Sequence, residues 1–516
     1  MSEFDRNENS SSEEEEYKTI RLKRHLWPDE VALRNEQKKV KRLKTVLTVS
    51  VIMAVLLGWL FGSIFPAPGT DGLRGTLRRS QTMDSSQKIK AVFNIMENDW
   101  YFGQDIEDID TRLTDQAMRG ITANEEDPHT EYMSAEEVEN FTQSINRNFT
   151  GIGVEYITNA GNNIITKIFK GSPAEKAGVQ PGDMIISVDG VLTEGKSSDE
   201  IKDMVRGESG TTVVMGLRRQ GTDISVPIVR GEINATVYGY QIDDETGYLQ
   251  LYQFGNTTAE QMDDYLDEFV QAGAHKLIID LRDNGGGYLD ALQKVASRFL
   301  PAGTVVMKQE YTDGTSELTK TVSGHLRDIS DIVILVNGNT ASASEVLTLA
   351  LMEQRDDVTV IGTKTYGKGT VQITKMFTDN SAVKYTTSRW LSPSDVWING
   401  TGIEPDIEVD VPEIIRASFP EMAEDAVYDV DSVANEVKLT QMALAYLGYT
   451  PDRTDGYYTE KTAELVVRFQ QEYGLEATGK LDSKTYDAVF SAVLLDWNTK
   501  TTHDVQLLKA LEVLHG

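Results

Sequence analysis

The sequence predicts a multidomain α/β protein held behind one membrane-crossing helix, and three observations lead there. A chain of 516 residues is too long for a single core, so several domains are expected. Residues 45–65 form a run of 21 residues without a charge, long enough to cross the apolar layer of a bilayer as a helix. The period of the apolar residues also changes along the chain. It is helical from 85 to 148, strand-like from 149 to 232, alternating between strand and helix from 233 to 412, and helical again from 433 to 494.

Composition narrows the function. An apolar fraction of 40% and a charged fraction of 25% are ordinary for a folded protein. The formal charge of −31 argues against nucleic acid as a partner, because so acidic a surface repels phosphate. The absence of cysteine removes thiolate metal sites and cysteine nucleophiles, and it suits an exported protein that folds without disulfides.

Residues 1–44 read as a cytoplasmic tail, with Ser10-Ser-Ser-Glu-Glu-Glu-Glu16 too polar to fold. Arg34, Lys38, Lys39, Lys41, Arg42 and Lys44 precede the apolar run and hold that side in the cytoplasm, which places the rest of the chain outside the cell. A cleaved signal peptide is the weaker reading, since 44 residues precede the run and Pro66-Ala-Pro68 is a poor cleavage site. Residues 66–84 read as a linker. In 85–148, Ile89, Val92, Phe93 and Ile95 mark a helix, a turn at Asp127-Pro-His129 divides the region, and no chemistry is assigned to it.

From 149 the elements are short. Thr150-Gly-Ile-Gly-Val-Glu-Tyr156 and Asn163-Ile-Ile-Thr-Lys-Ile168 read as strands, and Ser172-Pro-Ala-Glu-Lys-Ala-Gly178 as a capped helix. Turn and strand Gln180 to Gly190, helix Ser198 to Val205 and strand Thr211 to Leu217 follow. In that order, residues 149–232 resemble a PDZ domain, a small β-sandwich or barrel with two helices. The resemblance implies that Gly151, Ile152, Gly153 and Val154 offer backbone N–H groups to a peptide's terminal carboxylate, while the peptide adds a strand to the sheet edge.

Residues 233–412 carry the chemistry. The strand Lys276 to Arg282 ends in Asp283-Asn-Gly-Gly-Gly287, whose glycines permit positive φ and close backbone approach. It lacks the Gly-Lys-Ser/Thr ending of a phosphate loop. The buried run Ile332-Val-Ile-Leu-Val336 leads into Asn337-Gly-Asn-Thr-Ala-Ser-Ala-Ser-Glu345 and then a helix, which aims a serine and backbone N–H groups at one point. The next strand, Val358 to Gly362, leads into a glycine-rich loop carrying Lys368, which could act as a base if burial strips its proton. Ser342 and Ser344 are both candidate nucleophiles at this stage.

Asp280-Leu-Arg-Asp-Asn-Gly-Gly-Gly287, Ala341-Ser-Ala-Ser-Glu345 and Tyr366-Gly-Lys-Gly-Thr-Val-Gln372, in this order and with the PDZ pattern upstream, resemble the carboxy-terminal processing proteases, serine peptidases with a Ser/Lys dyad. The resemblance implies Ser342 as nucleophile, Lys368 as general base and Gln372 as its orienting residue. It also implies an oxyanion hole from the N–H groups of Gly286 and Ala343. A Ser/His/Asp triad would rest on His129, His275 or His325, each of which reads as a surface or structural histidine. No His-Glu-x-x-His or ligand cluster is present, so neither metal nor other cofactor is expected.

After an acidic linker at 413–432, residues 433–494 read as three helices. Asp455-Gly-Tyr-Tyr-Thr-Glu-Lys-Thr462 and Thr478-Gly-Lys-Leu-Asp-Ser-Lys-Thr485 repeat one pattern of glycine turn followed by helix cap. This unit resembles a peptidoglycan-binding domain, and residues 495–516 are left as a C-terminal tail. The expected protein is therefore a single-pass membrane endopeptidase with its catalytic part outside the cell. Its expected partners are protein substrates with exposed C-terminal tails, peptidoglycan and the membrane, with a homo-oligomer also allowed for. A catalytically inactive, wall-anchored PDZ scaffold is the alternative from another class.

Overall fold

The computed structural model describes residues 84–516 apart from 160–161, 220, 325–326, 424 and 500–502. The expected cytoplasmic tail and membrane helix, nearly all of the linker, and His325 lie outside the described residues. No described helix is long and apolar enough to cross a membrane. The described residues fall into two units, divided between Ile109 and Asp110. In the first, helix Ser85–Asn98 starts at an Asp84 cap whose carboxylate accepts the Gln87 N–H at 2.9 Å.

The second unit is built on a six-stranded sheet ordered Val237–Gln241, Thr246–Leu251, Lys276–Asp280, Ser330–Val336, Val358–Gly362, Ile407–Glu408. The first pair is antiparallel and every later pair is parallel. Successive side chains on a strand point to opposite faces, so the unbroken apolar runs bury on both. Leu277, Ile279, Ile332, Ile334, Val336 and Val360 pack with helices Thr258–Ala272, Leu289–Ala296 and Ala343–Gln354. Ile278, Val333, Leu335 and Ile361 face the other way, onto Leu507, Ala510 and Leu514 of helix Val505–His515.

That last contact departs from expectation. The end of the chain is no tail but the helix that covers the second face of the central sheet. Asp504 caps it, accepting the N–H groups of Gln506 at 3.1 Å and Leu507 at 3.0 Å, and it also binds the Arg282 guanidinium at 2.7 Å. Arg282 is shared with Asp280 at 2.6 Å, and the Asp280 carboxylate also accepts the Tyr248 hydroxyl at 2.7 Å. Burial alone would push the Asp280 carboxyl up, but the Arg282 charge and hydrogen bonds outweigh it and hold the group below the usual carboxylate range.

A second sheet pairs Ala382–Leu391 with Thr370–Met376, Val305–Tyr311 and Glu131–Met133, so the region at 85–148 contributes a strand beside the lysine loop. The PDZ-like insert is an antiparallel sheet with Val154–Asn159 at one edge and Thr222–Val229 at the other. Its entry and exit, Asn148–Gly151 and Gly231–Asn234, pair side by side and form its stem.

The C-terminal helices Asn435–Tyr446, Glu460–Glu472 and Ser483–Thr499 enclose their own core around Val437, Leu444, Tyr458, Phe469 and Val489. The repeated sequence pattern has a physical cause here. The Gln441 amide takes the Gly456 N–H and donates to Thr462, and the Gln470 amide takes the Gly479 N–H and donates to Thr485. Each helix thus fastens the glycine turn that follows it and the first turn of the next helix.

Candidate active site

Strands Lys276–Asp280, Ser330–Val336 and Val358–Gly362 are parallel, so the loops after them gather at one edge of the sheet. Those loops hold the three motifs. Ser342 begins helix Ala343–Gln354 with φ 57° and ψ −120°, a strained setting for a non-glycine residue at a strand-to-helix turn. Its side chain is half-buried. Ser344 is buried, and its hydroxyl donates to the Asn284 carbonyl at 3.0 Å. The two serines, which the sequence leaves open, therefore have different surroundings.

Glu345, one turn into the helix, is fully buried and links the serine turn to the lysine loop. Its carboxylate accepts the Ser342 N–H at 2.8 Å and the Lys368 N–H at 2.9 Å. It also accepts the Thr365 hydroxyl and the Gly367 N–H, each at 2.6 Å. From the outside, the Trp390 indole N–H donates to the Lys368 carbonyl at 2.7 Å and the Trp397 indole N–H to the Gly369 carbonyl at 3.0 Å. Gly367 has φ 87°, and a Cβ there would sit 2.6 Å from the Gly402 nitrogen, so only glycine fits.

Burial pushes the Lys368 ammonium below the ordinary lysine range, and the nearby Lys384 charge pushes it the same way against the opposing charges of Asp127, Glu345 and Glu131. Among the described residues, Lys368 Nζ makes no hydrogen bond, and the serine and lysine side chains share a loop cluster without a direct one. Gln372 lies on the following strand, where its amide nitrogen donates to Thr370 at 2.9 Å and Thr386 at 3.0 Å.

Of the two expected oxyanion donors, the Ala343 N–H has no partner among the described residues, whereas the Gly286 N–H donates to Asn284 Oδ1 at 2.9 Å. Gly286, with φ 106°, is pressed against the serine turn. A Cβ there would lie 2.8 Å from Ser342 Cβ and 3.0 Å from the Ala343 nitrogen.

The region given no chemistry lies closer to the site than expected. The Asp127 carboxylate accepts the Thr130 hydroxyl at 2.6 Å, and Thr130 accepts the Thr386 N–H at 3.2 Å, which fixes this turn against strand Ala382–Leu391, the partner of the strand that carries Gln372. Burial lowers the basicity of His129, with the Lys368 charge as the next cause. Only the sequence turn at Asp127-Pro-His129 hinted at this segment.

Gly151, Ile152, Gly153 and Val154 line a cleft of about 360 Å³ with Tyr156, Ile157, Lys202, Val205 and Arg206. No acceptor among the described residues takes the N–H groups of Ile152 or Gly153. Gly153 has φ 81°, and a Cβ there would lie 2.4 Å from Ser172 Cβ.

Residues 245–409 match the model of peptidase family S41, residues 164–219 that of the PDZ domain, and residues 433–489 that of a peptidoglycan binding domain. The chain is 31% identical over 481 residues to the carboxy-terminal processing protease CtpA of Bacillus subtilis (strain 168), covering 93% of this chain and 99% of that protein. It is 34% identical over 429 residues to a CtpA-like serine protease of Staphylococcus aureus (strain N315), covering 83% and 84%. A CtpA-like serine protease of Staphylococcus haemolyticus (strain JCSC1435) is 33% identical over 420 residues, covering 80% and 83%.

Proposed function

Because the chain belongs to the CtpA-type serine proteases of peptidase family S41, we propose that it is a membrane-anchored endopeptidase, facing away from the cytoplasm, which selects substrates by their C-terminal tails and cleaves them with Ser342 and Lys368. The carrying observation is the Glu345 carboxylate, which binds the backbone N–H of both residues at once.

The neutral Lys368 amine takes the proton as Ser342 Oγ attacks the scissile carbonyl carbon. The same ammonium returns the proton to the leaving amine, and an acyl-enzyme remains on Ser342. Water, deprotonated by Lys368, then adds to the ester, and the acid leaves as Ser342 Oγ takes the proton back from the Lys368 ammonium. A lysine serves as base only if its pKa falls, which burial beside Lys384 favours. The Ala343 N–H would meet the developing oxyanion, and the Gly286 N–H would join it by exchanging Asn284 Oδ1 for the substrate oxygen. Gln372 would orient the lysine only by turning its side-chain oxygen to Lys368 Nζ, while its amide nitrogen stays on Thr370 and Thr386.

The free N–H groups at 152 and 153 suit a terminal carboxylate, and the edge strand Val154–Asn159 suits the backbone of a tail. The C-terminal helices would hold the protein against peptidoglycan, and the apolar run at 45–65 would hold it in the membrane.

The test is cleavage of an unfolded protein or peptide with an apolar free C-terminus by the full chain. Ser342→Ala and Lys368→Ala should each lower kcat by at least about 1,000-fold, the scale on which loss of a member of such a catalytic set is felt. Ser344→Ala should keep measurable turnover, and amidation of the substrate tail should raise KM. Wild-type rates in Ser342→Ala would overturn the dyad, and an unchanged KM on amidation would overturn the tail reading. No cleavage by the wild-type chain would leave the scaffold reading in its place.

A further inference from the structure

The groove that would take a substrate tail is walled in part by the chain's own C-terminal unit. Leu494, on helix Ser483–Thr499, lines the cleft together with Gly151, Ile152, Gly153 and Val154. The helix packs along the strand Val154–Asn159, whose outer edge has no strand partner in the sheet. An incoming tail would add its strand at that same edge.

The contact is held from both ends of the helix. Tyr486, Val489 and Val493 repeat at three- and four-residue spacing and face the core of the three-helix unit, and Phe490 stacks on Phe419 with ring centroids 4.2 Å apart. Leu494 is half-buried, stands outside that core and turns to the groove. Soon after this helix the chain reaches Asp504, fastened to Arg282, and the helix on the central sheet, with the Gln506 side chain donating to the Val409 carbonyl at 2.7 Å. The bridging helix is therefore suspended between a packed bundle and the protease core, which sets it over the groove.

We propose that Leu494 and the helix that carries it compete with the substrate tail for the groove, so the helix must move off the edge strand before a tail binds. This rests on the tail-binding reading above. A state that binds only when uncovered shows an affinity reduced by the fraction of time it is covered. Arg206 and Lys202 remain on the rim of the cleft, suited to an acidic tail terminus once the apolar cover leaves.

The experiment measures binding of a fluorescent peptide with an apolar free C-terminus, and of its amide, to the full chain and to Leu494→Ala and Leu494→Asp. Removing an apolar group from a half-buried contact should tighten binding of the free-carboxylate peptide about tenfold, with the larger effect in Leu494→Asp. The amide should stay weak throughout, and kcat/KM for the tailed substrate should rise in parallel. Equal affinity in all three proteins, with the amide still weak, would overturn the competition and leave tail recognition standing. Loss of discrimination between acid and amide in every protein would overturn tail recognition and the competition together. Hydrogen exchange on the unsubstituted chain supplies an arm free of folding effects. Adding the peptide should speed exchange in Ser483–Thr499 while slowing it in Val154–Asn159, and unchanged exchange in the helix with the peptide bound would overturn the competition.

Discussion

At the scale of single residues, Glu345 and Lys384 do the most to shape the site without reacting. Four donors converge on the buried Glu345 carboxylate, from Ser342, Thr365, Gly367 and Lys368. In Glu345→Gln a single amide oxygen replaces two carboxylate oxygens, so at least one buried donor loses its acceptor, at about 1–3 kcal/mol each. The serine turn and lysine loop should drift apart, with kcat falling about 100-fold. KM for a tailed substrate should hold because the groove is untouched, and a rise in KM with kcat unchanged would count against this role. Lys384, held by Glu131, acts through charge. The neutral amine is the base, so activity rises with pH as Lys368 loses its proton. Lys384→Gln removes a repelling charge and frees the attracting carboxylate of Glu131, and both changes raise the Lys368 pKa. The alkaline-rising limb of kcat/KM should therefore move to higher pH, with activity lost near neutrality and recovered above it. A limb that stays in place would show that Lys384 does not tune the base. The serine turn and the lysine loop were legible in the sequence because glycines and small residues punctuate them, while the choice between Ser342 and Ser344 was not. Glu345's function was not, since its four partners come from two loops that meet only in the fold.

At the scale of elements, what could be read followed periodicity, and what could not depended on a partner. The apolar runs at 276–282 and 332–336 signal strands buried on both faces, and the structure shows the alternate residues dividing between two cores. Helix Ser198–Val205, starting at the Ser197 cap, was equally plain, as was Glu460–Glu472 with its Thr459 cap. The strand Glu131–Met133 was missed because three residues carry no period, and it exists only through its pairing with Ala382–Lys384. The turn at Asp127–Thr130 reaches the site through the same pairing. Helix Val505–His515 was missed for another reason. Its apolar stripe is present in the sequence, but nothing local says that a sheet face built from strands far earlier in the chain, Lys276–Asp280, Ser330–Val336 and Val358–Gly362, lacks a cover.

At the scale of the whole molecule, that helix makes the protease core depend on the last residues of the chain. Removing residues 505–516 would uncover Tyr248, Ile278, Val333, Leu335 and Ile361 and lose the burial of Leu507 and Leu514, worth about 1.5–3 kcal/mol for each leucine. Removing Asp504 as well takes a partner from Arg282, whose buried side chain would keep only Asp280, and breaking such a pair costs about 3–5 kcal/mol. These losses together approach the whole stability of a typical domain, about 5–15 kcal/mol. A chain ending at 503 should melt at least about 10 °C lower than the full chain, or aggregate through its uncovered sheet. It should also lose activity, because Arg282 directly precedes the loop that carries Gly286. Asp504→Asn, which keeps the helix and weakens only the ion pair, should fall between the two in a thermal melt. If the shortened chain melts with the intact one and still cleaves, helix Val505–His515 is an accessory and the core closes without it. If Asp504→Asn alone reproduces the full loss, the ion pair rather than the apolar cover fastens the C-terminal unit to the protease.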